Sequence, residues 1–510
     1  MKHSPAVGAL ALCAFASGCM VGPDYSKPDA PMSEQFKELS GWKPVHPEDD
    51  ADKGVWWAIY RDPQLDRLMR KVEISNQTVK SFEAQYRNAV ALVGEARANL
   101  FPIATLNAGV SHTGTGGSSL SSLARNNQST TTSGVGTSNI SSSSSSSGGS
   151  GGRNGTLYTV SGTVSWDLDV WGSVRRQIES NVAGAQVSAA DLANAQLSAQ
   201  ATLATDYFDL RAEDSLEVLL RETTAADRRA LEITENQYRA GTSSSADVVT
   251  ARAQLQSVEA QLVGVGVQRQ QFEHAIAVLT GQPPANLTIA PASLASAVPV
   301  APAGLPSALL ERRPDIAAAE RQMQADNALI GVQIAAYYPT ISLSALGSFA
   351  GDPLSQLFTV ANRVWSLGAS ASETVFSGGA RPAAVAAARA TYDQSVANYR
   401  QTVLTAFQQV EDALSSLRIL EQQAAAQAIA VESARRALEV TLNAYRAGTV
   451  AYTAVITQQT LLLGDQQTLL SIQQSRLVAS VALVEALGGG WSTEELPEPH
   501  EVKAANPVLP

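Results

Sequence analysis

The side chains able to do covalent or metal chemistry are few, and they are badly placed for it. His3, His46, His112, His274 and His500 are scattered, with no His-x-x-x-His pair to hold a metal on one helical face. Both cysteines, Cys13 and Cys19, fall within the first twenty residues, so the body of the chain has neither a disulfide framework nor a Cys-based zinc site. Gly148-x-Ser150-x-Gly152 has the spacing of a nucleophile elbow, but it lies in low-complexity sequence rather than between a strand and a helix, and is discarded. There is no phosphate-loop motif. The chain is therefore not read as an enzyme, and no catalytic residue, metal or bound cofactor is expected.

The residue with the clearest chemistry is Cys19. Lys2 and His3 form a short basic start, Ala6 to Phe15 an apolar core, and Ala16-Ser17-Gly18-Cys19 a run of small residues ending in cysteine. A core this short is a signal peptide and not a membrane span. The run resembles a bacterial lipobox, which implies acylation of Cys19. The chain has 510 residues, 36 basic and 47 acidic, giving a formal charge of −11 that disfavours a nucleic-acid partner. Only 16% of residues are charged, against about 25% in an ordinary soluble domain. Beyond the N-terminus no stretch of eighteen apolar residues exists, which excludes a bundle of transmembrane helices.

A long-period repeat organises the rest. Asn236 to Gly281 lies on Asn443 to Gly488 without a gap, at an offset of 207. Tyr238-Arg239-Ala240-Gly241-Thr242 matches Tyr445-Arg446-Ala447-Gly448-Thr449. Upstream, Asn99-Leu100-Phe101-Pro102 corresponds to Ala336-Tyr337-Tyr338-Pro339 at an offset of 237. The 30 extra residues of the first copy fall in the run from Thr113 to Gly155, nearly all Ser, Gly, Thr and Asn, which reads as a loop.

Two alternating segments follow each Phe/Tyr-Pro. Ala104, Leu106, Ala108 and Val110 oppose Thr105, Asn107, Gly109 and Ser111, and Tyr158, Val160, Val164, Trp166 and Leu168 oppose Thr159, Ser161, Thr163 and Ser165. The second copy sets Ile341, Leu343, Ala345 and Phe349 against Thr340, Ser342, Ser344 and Ser348, and Trp365, Leu367, Ala369 and Ala371 against Ser366, Gly368, Ser370 and Ser372. These are strands with one apolar and one hydroxyl-rich face, as around a water-filled lumen. From Gly172 to about Thr280, and from Gly378 to about Leu487, the chain is Ala-, Gln-, Glu-, Leu- and Arg-rich, with Pro382 alone near a helix start. Each stretch predicts a long coiled-coil hairpin, with one helix of about 65 residues and roughly 100 Å. Each breaks once, at Arg-Ala-Gly-Thr, the predicted tip. Four strands cannot close a barrel, and open edges do not survive in lipid, so several chains are expected to share one cylinder.

Four segments resemble the outer membrane factors of the TolC/OprM (NodT) type. They are Cys19-Met20-Val21-Gly22-Pro23-Asp24-Tyr25; Trp56-Trp57 with Asp62-Pro63-Gln64-Leu65 and Asn76; Glu311-Arg312-Arg313-Pro314-Asp315-Ile316 with Ala319-Glu320; and the paired Tyr-Arg-Ala-Gly-Thr motifs. The resemblance implies an α+β membrane protein, a homotrimer whose shared β-barrel, four strands per chain, continues into a long α-helical coiled-coil barrel with a mixed equatorial belt. It implies a lipid-anchored passive exit duct in the outer membrane of a Gram-negative bacterium, opened by a periplasmic membrane-fusion adaptor and an inner-membrane transporter of the RND type. The alternatives are a type I protein-secretion duct or, in another class, a structural periplasmic coiled-coil spacer, which would leave the alternating strands unexplained.

Residues 1–18 are then the signal peptide and 19–70 an N-terminal equatorial segment. The first repeat is 71–281, with an extracellular loop at 113–155 and a tip near 241. An equatorial linker at 282–308 precedes the second repeat, 309–490, with its tip near 448, and 491–510 is an equatorial tail. The implied docking residues are Tyr238, Arg239, Gly241 and Thr242 with Tyr445, Arg446, Gly448 and Thr449. Asp247 matches a family entrance-gate position, whereas the corresponding places after Gly448 hold Ala454 and Thr457. Tyr452 and Thr457 are the other gate candidates, by apolar and hydroxyl contact. Asp247 also has a local reading, because Ser244-x-x-Asp247 is a capping-box pattern. Trp166 and Trp171 are expected at the barrel rim, and Arg313 and Asp315 in a structural ion pair.

Overall fold

A computed structural model describes residues 20–30, 36–39, 55–114, 154–299 and 312–502. The signal segment, Cys19, most of the Ser/Gly tract, Glu311 and the end of the tail lie outside the described residues. The chain divides into two compact units. The first takes residues 96–175 and 332–381 with the start of the chain up to Val21, and the second takes 22–95, 176–331 and 382–510.

The first unit is built on one four-stranded antiparallel sheet in the order β1-β2-β3-β4. The strands are β1 (Ile103–Gly114), β2 (Asn154–Leu168), β3 (Thr340–Gly351) and β4 (Arg363–Ser372). They hold 12, 15, 12 and 10 residues, enough for a tilted strand to cross a bilayer core, which takes about 9–11. Register joins the alternating patterns into two continuous faces. Ala108 pairs with Val160 and Val160 with Phe349, and Trp166 pairs with Leu343 and Leu343 with Ala369. On the other face Asn107 pairs with Ser161 and Ser161 with Ser348, and Ser165 pairs with Ser344 and Ser344 with Gly368. Leu346, opposite Thr163 and Ser366, interrupts the polar face, as do Ile103, Leu157 and Val364 nearer the strand ends.

The helices belong chiefly to the second unit. They are α1 (Pro63–Ser75), α2 (Gln77–Ala98), α3 (Ser173–Arg239), α4 (Ser245–Leu279), α5 (Pro314–Ala335), α6 (Ala380–Arg446) and α7 (Tyr452–Ala486). The repeat is exact in three pairs of helices. α3 and α6 have 67 residues each and α4 and α7 have 35, with every boundary displaced by 207. α2 and α5 have 22 each, displaced by 237. At 1.5 Å per residue the 67-residue helices are roughly 100 Å long.

Local chemistry sets the helix starts. Asp62 accepts from the backbone N–H groups of Gln64 and Leu65, and Pro63 occupies N1, where its missing N–H costs nothing. Asn76 accepts from Thr78 and Val79 to start α2, while its Nδ2 donates to the Leu279 carbonyl. The main core gathers Trp56, Trp57, Leu65, Met69, Tyr207, Phe208, Val410, Leu414, Leu477 and Val481. The irregular segments are pinned to helices by polar contacts. Lys27 pairs with Glu320, Arg269 donates to the Ile289 carbonyl, and Gln186 donates to the Pro497 carbonyl. Buried Asp214 is shared by buried Arg211 and half-buried Arg269, and Arg313 pairs with Asp315 at 2.6 Å while donating to the Ala486 carbonyl.

Candidate functional site

The two hairpin turns have the same geometry. Gly241 N–H donates to Tyr238 O and Thr242 N–H to Gln237 O, both at 2.9 Å; Gly448 and Thr449 repeat this to Tyr445 O at 2.9 Å and Ala444 O at 3.0 Å. This is the Schellman closure, which needs a left-handed residue after the helix, and both glycines have φ 76°. A Cβ at either would meet nothing within 4 Å, so each glycine faces open space. The threonine hydroxyls also cap, Thr242 donating to Gln237 O and Thr449 to Ala444 O. Arg239 is held by Asn236 at 2.6 Å. Tyr238 is exposed, whereas its repeat mate Tyr445 donates its hydroxyl to Gln237 Oε1 at 2.5 Å. Gln237 was not singled out from sequence. Its signal is a break in the repeat, Ala444 standing where the first copy has an amide.

The gate candidates do different things. Asp247 closes a full capping box with Ser244 at the start of α4. Burial pushes its carboxyl up, but hydrogen bonds from Ser244 and Ser243 outweigh this and hold it below the usual value. Tyr452 is buried beside Ala251 and Val455, its ring 5.2 Å from that of Tyr445. Burial, then the charge of Asp227, raises its phenol to about 12. Thr457 is exposed, and its hydroxyl donates to Thr453 O. α7 starts on Ala451, which offers no side-chain cap.

At the foot of the sheet, Trp171 stacks on Tyr338 with centroids 4.7 Å apart and donates to Pro339 O, and Trp166 donates to Leu100 O. Val21 N–H donates to Trp171 O, so the first described residues after Cys19 are pinned to this aromatic edge. Among the described residues no cluster of His, Cys, Asp and Glu could hold a metal. The apolar sheet face is bare: Leu106, Val110, Trp365 and Leu367 are 66–79% exposed. A patch of this kind on one chain marks a lipid or protein contact, and the hydroxyl-lined reverse face offers a path to water. Together they describe the wall of a pore.

The family model described as "Outer membrane efflux protein" matches residues 68–282 and 305–489. The chain belongs to the outer membrane efflux protein family, a family of transport ducts and not of enzymes. The solvent efflux pump outer membrane protein SrpC of Pseudomonas putida is 30% identical over 490 residues, covering 94% of this chain and 97% of that protein. The cation efflux system protein CusC of Escherichia coli is 28% identical over 493 residues, covering 96% of this chain and 99% of that protein. Among solved structures, the outer-membrane channel OprN superposes with a TM-score of 0.80 at 28% identity, covering 93% of this chain and all of that one. The protein is an outer membrane exit duct for efflux.

Proposed function

We propose that three copies of this chain close one twelve-stranded barrel, and that the duct is completed by a periplasmic membrane-fusion adaptor docking on the hairpin tips beneath an inner-membrane RND transporter. The observation that carries this reading is the sheet: one apolar face, one hydroxyl face, and two outer strands, β1 and β4, each paired on one side only. Unpaired backbone cannot face hydrocarbon, so β1 of one chain must meet β4 of the next. Two tips per chain, alike in backbone geometry, give six quasi-equivalent turns around a trimer, which suits a ring of adaptor subunits. Asp247, Tyr452 and Thr457 are placed near the tips, where closure of the entrance would occur. Asp247 serves there first as a helix cap.

Cys19 is proposed to carry the lipid, because Val21 and Met20 sit on Trp171 and Gly172 at the aromatic edge where an acyl chain could enter the bilayer. Residues 1–18 are proposed as the removed signal, and 71–281 and 309–490 as the two repeats. The relatives' names span solvents and cations, so the cargo is not carried over to this chain. Purified in mild detergent, the protein should run as a trimer and open ion-conducting channels in planar bilayers. Labelled palmitate should enter the wild type and not Cys19→Ser. A stable monomer without conductance would sink the trimer, and equal labelling would sink the anchor.

A further inference from the structure

On α3 the residues that face α4 and α7 recur at helical spacing: Leu220, Thr224, Asp227, Leu231 and Thr234. Leu220 packs with Val258, Val265 and Leu463, and Leu231 packs with Ala251, Tyr452 and Val455. Between these apolar layers lie Thr224 and Asp227, 6% and 2% exposed. α3 and α7 run antiparallel, since Thr234 hydrogen-bonds the Tyr452 hydroxyl and Gln474 donates to Asp209 at 2.8 Å farther from the tips. Counting back along α3 and forward along α7 by the same number of residues from the Thr234–Tyr452 contact brings Gln459 level with Asp227. Thr224 Oγ1, both carboxyl oxygens of Asp227 and Gln459 Oε1 are buried with no hydrogen-bond partner. A polar layer in a hairpin seam is costly when unsatisfied, and far more so when it holds a bare carboxylate.

Among the described residues no cation pairs with Asp227. Burial, the larger influence, raises its pKa to about 6, and the neutral amide of Gln254 on α4 lowers it without closing a hydrogen bond to either oxygen. The nearby charges are engaged at the surface, Arg228 with Glu259 and Arg252 with Glu235. α7 presents Tyr452, and Tyr445 of α6 gives its hydroxyl to Gln237. An ionised Asp227 therefore has only two further oxygens beside it in the layer, Thr224 Oγ1 and Gln459 Oε1, and no salt-bridge partner there. A neutral Asp227 can donate its proton to Gln459 Oε1 while its other oxygen accepts from the Thr224 hydroxyl, satisfying the layer at once.

We propose that Asp227 is a proton-controlled latch in the α3–α7 seam: the neutral acid holds the seam shut, and ionisation, which strands a buried charge, loosens α3 from α7 above the tips. The latch lies within one protomer and stands or falls independently of what docks on Gly241 and Gly448. The sign follows from the raised pKa. The stabilisation is complete below the ordinary aspartate value and is lost as pH rises through about 6.

The test is hydrogen–deuterium exchange on the full assembled protein at about pH 5 and about pH 8, corrected for the intrinsic pH dependence of exchange. In the wild type, residues 220–234 and 452–463 should lose protection about tenfold at the higher pH, the ratio expected when a carboxyl of pKa about 6 regains its ordinary value on opening. Asp227→Asn, neutral at both pH values, should show no step, and Asp227→Leu should behave alike. A flat wild-type profile overturns the latch, and so does an equal step in either variant. If Asp227→Asn does not assemble, the wild-type and Asp227→Leu measurements decide.

Discussion

At the scale of single residues, four glycines carry the same sequence signal and do two different jobs. Gly241 and its repeat mate Gly448 are left-handed turns open to solvent, and Gly281 and its mate Gly488 are left-handed turns jammed against backbone. A Cβ at Gly281 would lie 2.1 Å from Ser75 O, and at Gly488 1.8 Å from Arg312 O. Gly241→Trp and Gly448→Trp should therefore assemble, at a local cost of about 1–2 kcal/mol for the turn, and fail in export because a partner's backbone can no longer approach. Surface trimer, adaptor cross-linking and drug accumulation would be measured together; wild-type cross-linking and export would show that docking lies elsewhere. Gly281→Ala and Gly488→Ala should instead lower the yield of folded protein. Sequence marks all four as helix ends and cannot separate them, because the clash depends on Ser75 and Arg312, remote in the chain. The capping role of Asp247 was legible, since it needs Ser244 alone. The layer around Asp227 was not, because its cost arises only when α4 and α7 close over it.

At the scale of elements, the helices were the most legible part of the chain. Long runs without proline, closed by the same Arg-Ala-Gly-Thr break, fix type, length and turning point from local chemistry, and the repeat checks each boundary against its mate. The break at Asn76 between α1 and α2 was less legible, because it is held partly by the distant Leu279 carbonyl. The two tips also differ in a way that has an energetic consequence. α4 begins on a capping box, α7 on an alanine. Ser244→Ala should cost about 0.5–2 kcal/mol at the first turn of α4, and Ala451→Ser should add stability toward the low end of that range to α7. Amide exchange across 245–250 and 452–457 would register both, and an unchanged 245–250 in Ser244→Ala would refute the cap. Because hydrogen bonds hold the Asp247 carboxyl below its ordinary pKa, its share of the cap is present above the ordinary value and is lost as pH falls through the lowered one. Asp247→Asn should thus weaken the cap at neutral pH and converge with the wild type in acid.

At the scale of the whole molecule, the sheet must reconcile two solvents on its two faces. No helix among the described residues is long and apolar enough to cross a membrane; the exposed apolar face belongs to the strands, where Leu106, Val110, Trp365 and Leu367 stand bare. Their alternation was legible because the period of two is a local property. Which strand edges meet was not, since that belongs to an assembly of chains. Val160 and Leu343 lie on the apolar face, Val160 between Ala108 and Phe349, Leu343 between Trp166 and Ala369. Ser161 and Ser344 lie one residue further on, on the hydroxyl face, Ser161 between Asn107 and Ser348, Ser344 between Ser165 and Gly368. An arginine on the lipid side of a barrel costs about 2–4 kcal/mol near the bilayer midplane, whereas one on the lumen side stays hydrated. Val160→Arg and Leu343→Arg should therefore reduce the membrane-inserted trimer, with single-channel conductance unchanged in what survives. Ser161→Arg and Ser344→Arg should insert normally and alter conductance and its cation preference, because the added charge would line the lumen. Heat-resistant trimer on gels and single-channel recordings in planar bilayers would be read for all four variants. If Ser161→Arg loses its trimer while Val160→Arg keeps it, the faces are assigned the wrong way round and the hydroxyl face is not the pore.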